Sequence, residues 1–369
     1  MNNKKILIAF GTRPEAIKMC PLVRELKERE GVHISVCLTG QHRDLLDSAV
    51  RIFDVTPDYN LSVMRRDQTP TLVVSDILAE AEKIFDRARP DIVVVHGDTA
   101  SALAVSLAAF FAGIDVAHVE AGLRSGDIYA PFPEEFNRRS ISMTAALHFA
   151  PTENAATNLL NEGISPSRVF VTGNTVIDAL RYTVKDGYSH KLLDDKQNNR
   201  IIFMTAHRRE SHGDTMLGMF RAIRRICTQY PDVHVIFPVH PNPAVRCAAN
   251  GILGECEGVT LCEPLDVIDC HNIMAQSYLI LTDSGGIQEE SAALGKPVLV
   301  MRNVTERPEG IKAGISRLAG TDEEQIFVTV KAILESDKLY KNMCNSPNPY
   351  GDGRACERIA DILESKIFI

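Results

Sequence analysis

In the first half of the chain, three carboxylates follow closely on short apolar runs. Asp98 lies in His96-Gly97-Asp98-Thr99, behind Ile92-Val93-Val94-Val95, and Glu120 heads Glu120-Ala121-Gly122-Leu123-Arg124, behind Val116-Ala117-His118-Val119. Glu134 opens Glu134-Glu135-Phe136-Asn137-Arg138, behind Pro131-Phe132-Pro133. Carboxylates brought to one place repel each other, so at least one should keep its proton to a higher pH. That is the state a general acid or base needs near neutrality. The plainer reading makes them helix caps and surface ion pairs, with Glu134 and Arg138 on one helix face at i,i+4 spacing. Three of them at run ends in one half weight the choice toward chemistry. Arg13 and Lys18 belong to Gly11-Thr12-Arg13-Pro14-Glu15-Ala16-Ile17-Lys18, after the first apolar run. Pro14 suits a first helical turn, and a helix N-terminus with two cations suits a phosphate. The alternative for both is a solvated surface charge.

The second half repeats the plan with different chemistry. His207 follows an apolar run in Ala206-His207-Arg208-Arg209-Glu210, and His240 does so in Val239-His240-Pro241. Each could be a buried structural histidine, but the paired arginines beside His207 favour an anion site. The most specific segment is Leu281-Thr282-Asp283-Ser284-Gly285-Gly286-Ile287-Gln288-Glu289-Glu290. Gly285 and Gly286 let backbone approach a ligand, and their N–H groups with the helix dipole, beside Ser284, would hold a diphosphate. Glu290, one turn on, could accept from ribose hydroxyls, and Arg307 supplies another cation. No Gly-x-Gly-x-x-Gly is present, and no histidine or cysteine spacing matches a metal site, so neither a dinucleotide cofactor nor a metal is expected.

The elements that must position these groups are apolar, β-branched strands alternating with helices. Strands are expected at residues 5–10, 33–39, 92–96, 116–120, 147–151 and 169–172, then at 200–205, 234–239, 259–262, 278–282 and 297–301. Helices are expected at 16–29, 71–87, 100–112, 216–229, 287–294 and 354–366. Runs apolar on both faces are what a parallel sheet covered by helices requires. In such sheets ligands bind beyond the carboxyl ends of the strands, where the motifs fall. The polar stretch 187–200 interrupts the series. The expected organisation is therefore α/β, with two Rossmann-like domains facing a cleft. The N-terminal one, 1–173, carries the carboxylates. The second, 174–352, carries the glycine turn. A last helix in 353–369 packs back on the first.

The length of 369 residues fits two domains, and 45% hydrophobic with 24% charged residues describes an ordinary globular chain. A formal charge of -8 argues against a nucleic-acid partner. No run of about 18 apolar residues announces a membrane span, and the N-terminal run stops too soon for a signal peptide. The nine cysteines are scattered, with no Cys-x-x-Cys, so reduced thiols in a cytoplasmic protein are expected.

Taken together, these motifs resemble the non-hydrolysing UDP-N-acetylglucosamine 2-epimerases. The likeness runs from Gly11 to about Gly353 and includes Gly40-Gln41-His42-Arg43, Pro264-Leu265-Asp266 and Thr305-Glu306-Arg307-Pro308-Glu309. It implies the glycosyltransferase-B architecture and reversible interconversion of UDP-GlcNAc and UDP-ManNAc, with UDP eliminated to 2-acetamidoglucal and then re-added. By motif match, Asp98, Glu120, Glu134 and His207 would be the acid/base groups. Arg13, Lys18, Arg138 and Arg307 would bind phosphate or orient carboxylates. Ser284, Gly285 and Gly286 would hold the diphosphate, and Glu290 the ribose. Gln41, His42, Arg208 and His240 match an allosteric UDP-GlcNAc site. Asp44 and Asp67 make two further positions of that site acidic, the second of which is basic in the family, and Cys270 stands where an aromatic residue would stack on uracil. The resemblance implies a homodimer. It leaves as rivals an epimerase for another UDP-2-acetamido sugar, a hydrolysing epimerase and a non-catalytic UDP-sugar-binding regulator.

Overall fold

The computed structural model describes all residues except 1–3, 41–42, 62, 64–68, 195, 197–198, 209–210 and 368–369. The strands are β1 (Lys4–Phe10), β2 (Val32–Leu38), β3 (Tyr59–Asn60), β4 (Ile92–His96), β5 (Asp115–Val119), β6 (Leu147–Ala150) and β7 (Val169–Val171). They are followed by β8 (Arg200–Thr205), β9 (Val233–Pro238), β10 (Val259–Cys262), β11 (Leu279–Thr282), β12 (Val298–Val300) and β13 (Ser316–Leu318). Two parallel sheets result, ordered β3-β2-β1-β4-β5-β6-β7 and β10-β9-β8-β11-β12-β13. Both have the doubly wound order, in which the connection reverses direction at one place: β1/β4 in the first sheet and β8/β11 in the second. The edge strands β3 and β13 were not anticipated. They are two and three residues long, too short to leave an apolar run, and β13 exposes two of its three side chains.

The central strands are buried on both faces, so their sequences lack alternation. All five residues of β4 are buried, as are Leu279–Thr282 in β11. In the first sheet, Ile6, Ile8, Phe10 and Val94 face one apolar layer, while Leu7, Ala9, Val93 and Val95 face another. The second sheet is covered likewise by two layers, one built around Met219, Phe220 and Phe237, the other around Phe203, Ile236 and Ile280.

Two units follow the sheets, one comprising residues 1–182 and 351–369, the other 183–350. The junction falls later than the expected 173/174, because the helix Thr175–Thr183 contributes Ala179 to the core containing Phe149 and Cys356. The terminal helix Ala355–Ile367 buries Cys356, Ile359, Ala360 and Leu363 in that same core, against Met19 and Leu22 of the helix Arg13–Lys27. Asp178 caps it, accepting from the backbone N–H groups of Ala355 (3.1 Å) and Cys356 (2.9 Å). Among the described residues, no helix is long and apolar enough to cross a membrane.

Candidate active site

In the first unit the functional groups gather at the β1/β4 reversal. The helix Arg13–Lys27 starts with a capping box in which Thr12 and Glu15 satisfy each other's backbone. The buried Glu15 carboxylate accepts from Gly11 N (3.0 Å), Thr12 N (2.8 Å) and Thr99 Oγ (2.8 Å). It thereby ties the turn after β1, which carries half-buried Arg13, to the turn after β4, which carries Asp98. Burial holds its pKa above the ordinary carboxylate value. Gly11 is required there, since a Cβ would fall 1.9 Å from Thr39 Oγ.

Glu120 follows β5 with φ of 61°, a left-handed conformation uncommon outside glycine. Its Oε2 is ion-paired with buried Lys18, accepts from Asn174 Nδ2 at 2.9 Å, and lies 3.7 Å from His96 Nε2. Asp98 is gripped by Arg138 through Nε at 3.0 Å and through Nη2, while Asn137 Nδ2 donates to its backbone oxygen at 2.8 Å. The pKa of Asp98 is raised, first by burial, with Glu120 and Glu134 pushing it further and Arg138 opposing. Asp98 thus holds its proton to higher pH than a free carboxylate, with Glu120 and Glu134 close enough to contribute.

The Glu134–Arg138 ion pair of the plainer reading does not form. Arg138 turns instead to Asp98 and to fully buried Glu135, 3.2 Å away. Fully buried Glu135 needs a counter-charge more than half-buried Glu134 does. Glu135 also accepts from Ser125 N at 3.1 Å, which fixes the loop before the helix Glu134–Thr144. Sequence reasoning passed over Glu15, His96, Glu135 and Asn174 as individual site residues. The Thr12-x-x-Glu15 box was visible as a helix start, but nothing local marks Asn174, 54 residues from Glu120.

In the second unit the groups gather at the β8/β11 reversal. Fully buried Asp283, just after β11, binds the turn after β8. Its Oδ2 accepts from His207 N (2.7 Å) and Arg208 N (2.8 Å), and its Oδ1 lies 2.9 Å from His207 Nδ1. Burial pushes its pKa up, but His207 and the two backbone amides outweigh that and leave it below the ordinary carboxylate value. The carboxylate therefore orients the His207 ring. His207 also stacks on His240, with centroids 5.7 Å apart, and burial with the neighbouring His207 lowers the pKa of His240.

A cavity of about 320 Å³ opens beside them, lined by His207, His240, Pro264, Leu265, Cys270 and Ser284 among others. The helix Gly285–Ala293 begins at its edge with Ser284 as N-cap. The Arg307 guanidinium lies over this turn, 3.5 Å from where a Cβ on Gly285 would stand, held there by Glu289. Helix N–H groups that Ser284 does not cap with its side chain, a glycine turn and a fixed guanidinium form an anion cradle. Glu290 reaches over the same turn, its Oε1 3.8 Å from a Cβ built on Gly286. Arg208 faces Glu306 at 4.0 Å. Gln41, His42 and Asp67, named in the expected allosteric site, lie outside the described residues, as do positions 209 and 210.

The geometry thus gives clustered carboxylates in the first unit and, in the second, an anion cradle beside an apolar-walled cavity. A family model described as UDP-N-acetylglucosamine 2-epimerase matches residues 24–364. The UDP-N-acetylglucosamine 2-epimerase of Bacillus subtilis is 52% identical over 363 residues, covering 98% of this chain and 96% of the relative. The chain belongs to the UDP-N-acetylglucosamine 2-epimerase family. A solved member from Neisseria meningitidis, bound to UDP-GlcNAc, is 41% identical with a TM-score of 0.92, covering 98% of this chain and all of the other. The two-unit α/β plan of this epimerase-family chain is of the glycosyltransferase-B class. A Rickettsia africae glycosyltransferase, 14% identical with a TM-score of 0.64, shares that fold alone.

Proposed function

We propose that the protein interconverts UDP-GlcNAc and UDP-ManNAc by inverting C2 of the sugar. The observation that carries this reading is the carboxylate cluster of the first unit: Asp98 with a raised pKa on Arg138, beside Glu120 on Lys18. C2 of a UDP-sugar has no adjacent carbonyl, so simple deprotonation is closed to it. A base removes the C2 proton while the C1–O bond to UDP breaks, leaving 2-acetamidoglucal and UDP. UDP oxygen then adds back to C1, and C2 takes a proton on its opposite face. Both directions use the same groups, so the reaction is reversible.

Asp98, Glu120, Glu134 and His207 are the acid and base candidates. Arg13, Lys18 and Arg138 set their charge or meet phosphate. Ser284, Gly285, Gly286 and Arg307 hold the departing diphosphate, and Glu290 takes the ribose hydroxyls. Cys270 lines the cavity where the base would lie and supplies a small apolar contact there. A homodimer is part of the same reading. Phe110, Phe111 and Met143 are exposed on the helices Ala100–Phe111 and Glu134–Thr144, with Met143 82% accessible, and light scattering of the purified protein would test it. A cytoplasmic setting agrees with nine cysteines that are all free thiols.

Incubation with UDP-GlcNAc in D2O, followed by proton NMR, tests the function. UDP-ManNAc carrying deuterium at C2 is expected. Free ManNAc would instead make the enzyme a hydrolysing one. Turnover of only another UDP-2-acetamido sugar would move the substrate, and binding without turnover would leave a regulator.

A further inference from the structure

His271, on the helix Val267–Gln276, is 1% exposed and has no role in the scheme above. Its Nδ1 lies 2.7 Å from Thr183 Oγ and its Nε2 3.4 Å from Glu290 Oε2. A neutral imidazole has one N–H. A carboxylate only accepts, whereas a hydroxyl donates or accepts. The tautomer that serves both neighbours has Thr183 O–H donating to Nδ1 and the ring proton on Nε2, the nitrogen nearer Glu290. The next residue locks this arrangement. Asn272 Nδ2 donates to the Thr183 backbone oxygen at 2.7 Å, and its Oδ1 accepts from Lys185 N at 2.8 Å. The segment bearing the Thr183 hydroxyl is thereby fixed to the helix that bears the ring.

We propose that His271 is a positioning residue that holds the Glu290 carboxylate in the rotamer that accepts ribose hydroxyls, with Thr183 setting its tautomer. Glu290 extends on a flexible side chain from the first turns of its helix. A buried ring nitrogen 3.4 Å from one oxygen restrains it before ligand arrives, which lowers the ordering cost of binding. This inference rests on the proposed nucleotide site.

Calorimetric titration of the full-length protein with UDP and with 2′,3′-dideoxy-UDP tests it. Asparagine at 271 retains an acceptor for Thr183 but is too short to reach Glu290, whereas glutamine places an amide N–H near the original Nε2. His271→Asn is expected to weaken UDP about tenfold while leaving dideoxy-UDP within about twofold of wild type. His271→Gln should recover most of the loss. Adding His271→Asn to Glu290→Gln should cost nothing further. In turnover the same variant should raise KM and spare kcat.

Equal weakening of both nucleotides by His271→Asn, or no weakening of UDP, overturns the proposal. Thr183→Val, nearly isosteric, provides a second reading should the histidine variants fold poorly. It should weaken UDP about threefold and spare dideoxy-UDP, and an unchanged UDP affinity counts against the tautomer assignment. If Glu290→Gln itself leaves both affinities unchanged, the ribose site falls and this inference with it. If Glu290→Gln discriminates and His271→Asn does not, only the inference fails.

Discussion

Glu120 is fixed by groups from two elements meeting at one oxygen. Lys18 comes from the helix after β1 and Asn174 from the turn after β7, while His96 at the end of β4 lies 3.7 Å away. A carboxylate so held is paired with a cation and kept in an uncommon backbone conformation, and both constraints suit the proposed role of meeting a carbon–hydrogen bond at a set angle. Asp98→Asn and Glu120→Gln should each lower kcat by about two orders of magnitude or more, measured by coupled assay or NMR. Near-normal turnover in both would remove them from the acid/base set. Asn174→Ala should cost about tenfold in kcat by loosening Glu120, and Asn174→Asp more, because it sets a like charge against the carboxylate.

Two buried aspartates act between elements. Asp178, on the helix Thr175–Thr183, caps the helix Ala355–Ile367, while Asp283 joins the turns after β8 and β11. Asp178→Ala removes the acceptor of the Ala355 and Cys356 N–H groups at the start of that terminal helix. It should cost about 1–2 kcal/mol in urea denaturation and increase proteolysis near residue 355. Asp283 carries a depressed pKa, so its stabilisation is full above the unfolded value of about 3.9 and is lost as pH falls through the lower folded value. Asp283→Asn should therefore lower Tm at pH 7, with the gap to wild type narrowing toward pH 3. A gap independent of pH would show that packing, not charge, explains the loss. Gly122 is a third fixed point, with φ of 90° and a Cβ position 2.1 Å from the Ala155 carbonyl oxygen, which accounts for glycine beside the Glu120 turn.

At the scale of the molecule, the first sheet carries a charge-free row of buried histidines. His118 and His148 are register partners on β5 and β6, and His96 ends β4. Burial lowers their pKa values, to about 4 for His96 and about 3 for His118 and His148. Each folded value lies below the unfolded value of about 6.5, so on acidification the unfolded chain takes up protons first. The stability these groups leave intact is full above about pH 6.5 and is lost as pH falls toward the folded values. For three such groups the slope approaches about 4 kcal/mol per pH unit. Urea midpoints should drop steeply between pH 6 and 5, and His148→Asn should flatten that drop. An unchanged slope in the variant would exclude His148 as a contributor.

Much of this was legible in the chain order alone. Apolar, β-branched runs without alternation specified buried parallel strands, because a strand covered on both faces has no polar side to display. Asp98, Glu120, His207 and the Ser284-Gly285-Gly286 turn followed such runs, and chain-order reasoning could place them at strand ends. It could not say which strand ends are neighbours. Arg138 finds Asp98 across 40 residues and Asn174 finds Glu120 across 54, because the order of strands in the sheet brings those turns together. The same holds for the pairing of Thr183 with Glu290 through His271, which joins three separate segments. Burial decided the rest. Residue identity supplies a carboxylate or an imidazole with its ordinary pKa, and only the surrounding low-dielectric packing and the charges folded against it raise Asp98, lower Asp283 and keep His96 neutral.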